Sequence, residues 1–355
     1  MEGLSIDLVW EEYGLDQLQQ ELSGLLPGST LSLKQIFSQV MQGDVLGAIG
    51  GIFNALLGDM GGQLAGMRNV LLWLVMLGMI SALMSHFMDI FDKHQIADIS
   101  FYFMYLLLTA VLLSSFGQAA QVASSAMENI LLFVRLLVPA YLMAVGVASG
   151  TTTAGASYQL VLMMIYGVEQ VLVGGLLPFI YSYVLLAVVN GIWIEEKLSL
   201  LMELLEKGIK AALKAIIGVV TGISIFQSVI TPVIDTVKTS SLQKIVSAIP
   251  GIGGAADSMA SLVIGSAVVI KNSIGVVLLI LLVGMCLTPL VQILLTACCL
   301  KLAAAVMGII SDKRITACTN KVGEGSMMLL KITGTALLLF LISISVVAVS
   351  TNHGL

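Results

Sequence analysis

Apolar positions in this chain fall into long, nearly uninterrupted runs, and the length of the runs sets the first expectation. A helix needs about 20 mostly apolar residues to cross the ~30 Å hydrocarbon of a bilayer. Runs of that length occur at 70–91, 99–118, 129–149, 212–233 and 328–349. Two further runs, 157–194 and 272–309, would each reach about 57 Å as continuous helix, too long for one simple span. Each is interrupted near its middle, by Gly174-Gly175-Leu176-Leu177-Pro178 in the first and Leu287-Thr288-Pro289 in the second. Proline removes a backbone donor and crowds the preceding turn, so a break is expected at both places. Splitting the first run at Gly174-Gly175 and only kinking the second at Pro289 predicts an all-α polytopic membrane protein of eight crossings. Seven and nine are the alternatives.

The first 69 residues follow a different pattern from the membrane domain at 70–350. Glu2, Asp7, Glu11, Glu12, Asp16 and Glu21 precede the first base, Lys34, while Val9, Tyr13, Leu18, Leu22 and Leu25 recur at helical spacing. That predicts an acidic amphipathic helix ending before Pro27-Gly28. An acidic start is the reverse of a basic n-region, so no cleavable signal peptide is expected. The next stretch, Gly43 to Gly66, is Gly-rich. Its longest uncharged run, Val45 to Gly58, is shorter than a crossing and predicts an interfacial or re-entrant segment.

A second amphipathic helix is predicted at 195–214. Leu198, Leu201, Met202, Leu205, Ile209 and Leu213 share one face, and Glu196, Glu203, Glu206, Lys207, Lys210 and Lys214 share the other. Glu203 with Lys207 and Glu206 with Lys210 are i,i+4 pairs of the favoured polarity. Such a helix either lies on the membrane surface or docks a partner through Leu198, Leu201, Met202 and Leu205. Lys197, Lys207 and Lys210 in this connector, and Lys313, Arg314 and Lys321 in another, place both on the cytosolic side by the positive-inside tendency. The acidic N-terminus then lies outside. A weak internal repeat relates 157–233 to 272–349, with Gly208, Leu213 and Lys214 matching Gly325, Leu330 and Lys331 at one offset. Duplicated units of this kind recur in transporters.

Composition sharpens the class. The 355 residues are 58% hydrophobic and 10% charged, against roughly 25% charged in a soluble domain. Such a chain cannot coat a water-facing surface of its own size, so lipid is its solvent. A net charge of −5 with 16 dispersed basic residues excludes a nucleic-acid partner. Cys286, Cys298, Cys299 and Cys318 form no C-x-x-C pair and read as small apolar side chains, neither a zinc site nor a disulfide framework.

Catalytic constellations are missing from the pattern. Glycine is never followed by lysine, no H-E-x-x-H occurs, and Gly251-Ile252-Gly253-Gly254 is no dinucleotide fingerprint. No enzyme activity and no cofactor are predicted, and energy for transport must come from an ion gradient or a partner ATPase. The informative polar residues lie inside apolar runs. Glu169 lies deep in its run, and Arg135 lies four residues before Pro139. Ionised groups at such depth usually face a bundle interior and find a partner, so the two are expected to pair. Snorkelling to the interface is the alternative for Arg135, and the first reading of Lys271, Lys301 and Lys331.

The order of these features resembles the stage III sporulation protein AE family of endospore-forming bacteria. The resemblance rests on Val138-Pro139, the small-residue loop Gly150 to Gly155, Leu176-Leu177-Pro178 and the amphipathic connector. It continues with Ile249-Pro250-Gly251-Ile252-Gly253, Lys271-Asn272-Ser273-Ile274-Gly275, Pro289 and Lys301-Leu302-Ala303-Ala304-Ala305. It covers roughly 70–350. It implies a permease-like subunit of the complex joining mother cell and forespore, in the mother-cell-derived membrane around the forespore. The implied partners are other stage III sporulation A-operon proteins, including an ATPase, and indirectly stage II sporulation protein Q. An independent secondary transporter, with a midplane site near Glu169 and the two proline breaks, is the competing reading.

Overall fold

A computed structural model describes residues 33–90, 94–149, 163–193, 197–246 and 253–350. The acidic N-terminal helix and the segments at 150–162 and 247–252 fall outside them. The described residues are helical. α1 (Leu33–Met41) leads to α2 (Val45–Ile90) and α3 (His94–Ser149). Then come α4 (Met163–Asn190), α5 (Ser199–Val246), α6 (Gly253–Ile310) and α7 (Lys313–Ser350). Between α1 and α2 the chain turns at Gly43, whose φ of 82° is open to a residue without Cβ. Asp44 then caps α2, its Oδ1 accepting the Gly47 N–H at 2.9 Å.

Five described helices are long and apolar enough to cross a membrane: Leu64–Met84, Ile99–Phe133, Met163–Asn190, Gly275–Ile310 and Lys313–Ile342. The all-α membrane class therefore holds, while the partition of the runs changes in three places.

The expected split at Gly174-Gly175 does not occur. The chain passes through a π-helical turn at Leu172–Leu176 and continues straight into Leu177–Asn190. The Leu177 N–H donates to the Leu172 carbonyl, one residue further back than in an α-helix. Pro178 thus falls in the first turn of the following segment, where its missing donor is tolerated. Gly174 leaves room for the Gln170 side chain.

The runs 99–118 and 129–149 belong to one helix, α3. The polar interval between them carries Ala119, Ala120, Ala123 and Ala126, strong helix formers, and nothing in it stops the helix. Likewise the Gly-rich stretch does not turn back into the membrane, because α2 runs unbroken from Val45. α6 continues through Pro289, as a kinked single run requires. The expected span at 212–233 lies inside α5 and runs past the described side chains.

α7 is the centre of the bundle. It packs against α6 most extensively and also against α3, α4 and α5. Its companions in the core include Leu112, Phe116, Tyr183, Ile293 and Leu300, each at most 2% exposed. Gly325 is what lets α4 approach so closely. A Cβ there would collide with the Val184 side chain, while reaching Phe116 only at ordinary contact distance.

Candidate functional site

Where the end of α4 meets the starts of α5 and α7, the bundle encloses a polar cavity of about 430 Å³. Asn190 and Gly191 close α4 here. The Asn190 Oδ1 accepts the Leu198 N–H at 2.9 Å, which pins the connector to the helix end. The Tyr105 hydroxyl of α3 donates to the Val188 carbonyl at 2.6 Å, satisfying an acceptor in the last turn of α4. That hydroxyl occupies the space a Cβ of Gly191 would need. Trp193 stands at the mouth with the Lys197 ammonium 4.8 Å from its ring centroid.

The charges lining the cavity are sorted by helix. α5 contributes Glu203 and Glu206, and α7 contributes Lys313, Arg314 and Lys321. Most are neutralised within their own element. Glu203 pairs with Lys207 at 2.7 Å, and Glu206 pairs with Lys210. The hydrogen bond from Lys207 holds the Glu203 carboxyl below the ordinary carboxylate range and holds the ammonium above its own. Arg314 pairs with Asp312 at 3.2 Å and lies 3.6 Å over the Phe101 ring. Among the described residues no ion pair bridges the two walls.

One helical turn further into the bundle, Glu324 anchors a network. Its Oε2 accepts the Tyr183 hydroxyl at 2.8 Å and the Lys321 ammonium at 3.0 Å, and its Oε1 faces the Asn320 amide at 3.4 Å. The charges of Lys301 and Glu206 also reach this network. Glu324 lies within the apolar Lys313–Ile342 span, so its carboxylate is matched by a cation and two donors, as an ion in that setting requires. The arrangement can bind and orient charged groups or pass protons. No three potential metal-ligating side chains cluster among the described residues.

The sequence-predicted residues distribute unevenly around this site. Arg135 on α3 is exposed and Glu169 on α4 is half-buried, so both lie on the periphery of the bundle and not in its core. Their charges reach each other, and Glu128 shares the neighbourhood. No ion pair joins them among the described residues. Gly174 and Gly175 lie in the π turn, Pro178 is exposed beside it, and Pro289 is half-buried within α6. Pro139 and Lys271 lie in α3 and α6, with side chains outside the described set.

The proposed docking face on the connector needs correction. Met202 is 3% exposed, and Leu198 and Leu205 are half-buried, because this stripe, with Ile209 and Leu213, already packs on the bundle. The apolar side chains left outside are Leu200, Leu201 and Leu204. Sequence reasoning missed Glu324, Tyr183 and Lys321 as a unit. The available signal was the same as for Glu169, an acid well inside an apolar helix. Here it was obscured because Asp312-Lys313-Arg314 and Lys321 made the whole segment look like a solvated connector.

A model of the stage III sporulation protein AE family matches residues 31–351 of this chain. The match begins well before residue 70, so the Gly-rich stretch belongs to the shared part. A stage III sporulation protein AE from Bacillus subtilis (strain 168) is similar at 21% identity over 339 residues, which cover 95% of this chain and 84% of that protein. No solved structure matches.

Proposed function

The chain belongs to the stage III sporulation protein AE family, and from this premise we propose that it is a permease-like membrane subunit of the mother cell–forespore channel complex. Its place is the mother-cell-derived membrane around the forespore. It works there with other stage III sporulation A-operon proteins, draws energy from their ATPase and faces stage II sporulation protein Q indirectly. The observation that carries this reading is the family match across residues 31–351, joined to a bundle of five candidate spans. The absence of any nucleotide motif in the sequence fits a subunit whose engine lies in a partner. Both basic connectors meet at the end cavity, which suits a single cytosolic end.

Assembly is then the property to test. Leu201→Glu with Leu204→Glu places two charges on the apolar side chains that the bundle leaves outside, without touching a spanning core. The doubly substituted chain should remain in the membrane fraction and lose most of its co-purification with the sibling A-operon proteins, and cells carrying it should stop after engulfment. Robust gradient-driven uptake of a small solute by the purified wild-type chain in liposomes would overturn the reading in favour of an independent transporter.

A further inference from the structure

A second cavity, of about 220 Å³, opens where α2, α3 and α6 meet. Its position relative to the membrane follows from the two long spans that build it. Ser115 and Gln118 lie at the centre of Ile99–Phe133, and Gln292 and Thr296 lie at the centre of Gly275–Ile310. Spans of 35 and 36 residues are about 53 Å long, while the hydrocarbon is ~30 Å thick. With the ~30 Å hydrocarbon centred on these two candidate spans, both pairs of residues lie within it.

The chemistry of the lining is uncharged and partly unspent. The Ser115 and Thr296 hydroxyls donate to carbonyls of their own helices, those of Val111 and Gln292, at 2.9 and 3.0 Å. The side-chain amides of Gln118, which is exposed, and Gln292, which is half-buried, have no protein partner among the described residues. A primary amide carries two donors and an acceptor, and leaving them unmatched in hydrocarbon is costly. On the opposite wall, Gly62 and Gly66 have open space where a Cβ would stand. No Asp, Glu, Lys or Arg lines the cavity.

We infer that this cavity is a hydrated, charge-free chamber at bilayer depth that admits small neutral hydrogen-bonding molecules: water, and solutes with hydroxyl or amide groups. Water or such a solute satisfies the two amides. An ion is excluded, because nothing in the lining offsets the loss of its hydration shell. The chamber is separate from the charged end cavity and does not depend on the proposed place of the chain in a complex.

The native cysteines supply a built-in comparison. Cys299 lines the chamber, with its Sγ donating to the Met67 carbonyl at 3.5 Å, while the adjacent Cys298 is exposed on the outside of the bundle. Thiols react with methanethiosulfonates as thiolates, which form only where water reaches. The full-length chain in membrane vesicles is prepared with Cys298 alone, with Cys299 alone, and without native cysteines but with Gln118→Cys or Gln292→Cys. Each is treated with neutral hydroxyethyl methanethiosulfonate and, separately, with its trimethylammonium analogue. The neutral reagent should label the chamber positions Gln118→Cys and Gln292→Cys roughly tenfold or more faster than Cys298. Relative to the exposed reference Lys207→Cys, the cationic reagent should lag the neutral one by about tenfold or more at the same two positions.

Cys299 is the second reporter in the unsubstituted lining, and Gln118→Leu with Gln292→Leu should slow its labelling several-fold. Labelling of both glutamine positions no faster than Cys298 would overturn the proposal, as would equal rates for the two reagents. Retention of proteolytic protection identifies chains that fold, and only those are scored.

Discussion

α2 and α7 are both apolar spans of nearly equal mean hydropathy, yet they occupy opposite places in the bundle. In α7, 56% of the span window is buried, against 22% in α2. The exposed face of α2 carries Leu72, Trp73, Met76, Met79, Ile80 and Leu83. The core face of α7 carries Thr319, Ser326 and Thr333, each fully buried. All three hydroxyls donate back to carbonyls four residues earlier, Ile315, Val322 and Leu329, at 2.9, 3.2 and 3.0 Å. The difference teaches what makes a central helix in lipid. Tails are as apolar as leucine, so large side chains gain little by facing inward, whereas small and self-satisfied ones let neighbouring backbones come close.

Glycine substitutions would break this comparison most strongly, because the two helices should respond with opposite sign. Gly325→Ala on α7 drives a Cβ into the stiff, branched Val184 side chain. Overpacking of this kind costs roughly 1–3 kcal/mol, and no long, flexible side chain is available there to yield. Gly61→Ala on α2 meets open space and should stabilise by about 0.5–1 kcal/mol, the helix-propensity difference between the two residues. Thermal unfolding in detergent should therefore shift down for the first and up for the second. Equal shifts would mean that α7 is not the tighter centre.

The same contrast explains how far the sequence could be read. Run length and periodicity supplied the helical membrane class, the single passage through Pro289 and the i,i+4 pairs of α5, because these depend on local chemistry. The turn at Gly174-Gly175 was misjudged for a local reason as well. A π turn, which only backbone hydrogen bonding reveals, lets glycine and proline sit inside one rod. The Glu324 network was illegible for a different reason. Tyr183 and Glu324 are 141 residues apart, and only the packing of α4 on α7 brings them within hydrogen-bond reach. Arg135 and Glu169 lie in neighbouring helices, yet the bundle leaves them at its edge.

A smaller contrast, in which both changes lower stability, is expected at that network, where α7 carries its ion. Tyr183→Phe removes the donor at 2.8 Å while the ring stays buried, and Glu324→Gln removes the charge while Lys321 remains. Hydrogen bonds to charged groups contribute about 1.5–3 kcal/mol, so each single change should lower stability by about that much. The double substitution should cost clearly less than the sum, because the two side chains share one bond. Strict additivity in a double-mutant cycle would show that the tyrosine and the carboxylate act independently.

The smallest effect is expected at a second carboxylate–ammonium pair, Glu203 with Lys207, which is closer in distance than Lys321 with Glu324 but fully exposed on α5. Here the comparison sharpens into one between pKa and stability. The Lys207 hydrogen bond depresses the Glu203 carboxyl, and Glu203 raises the Lys207 ammonium. A depressed carboxyl contributes stability above its unfolded pKa and loses it as pH falls through the folded value. A raised ammonium contributes below its unfolded pKa and loses that contribution as pH rises through the folded value. Between those two ranges the pair is fully formed, but water and salt screen it, and two long side chains must be held in one geometry. Lys207→Gln should therefore return the Glu203 carboxyl towards its ordinary range, as a site-resolved NMR titration would record. The unfolding midpoint at neutral pH should stay where it was, with or without high salt. A clear drop in that midpoint would mean that the start of α5 is covered by something that excludes water.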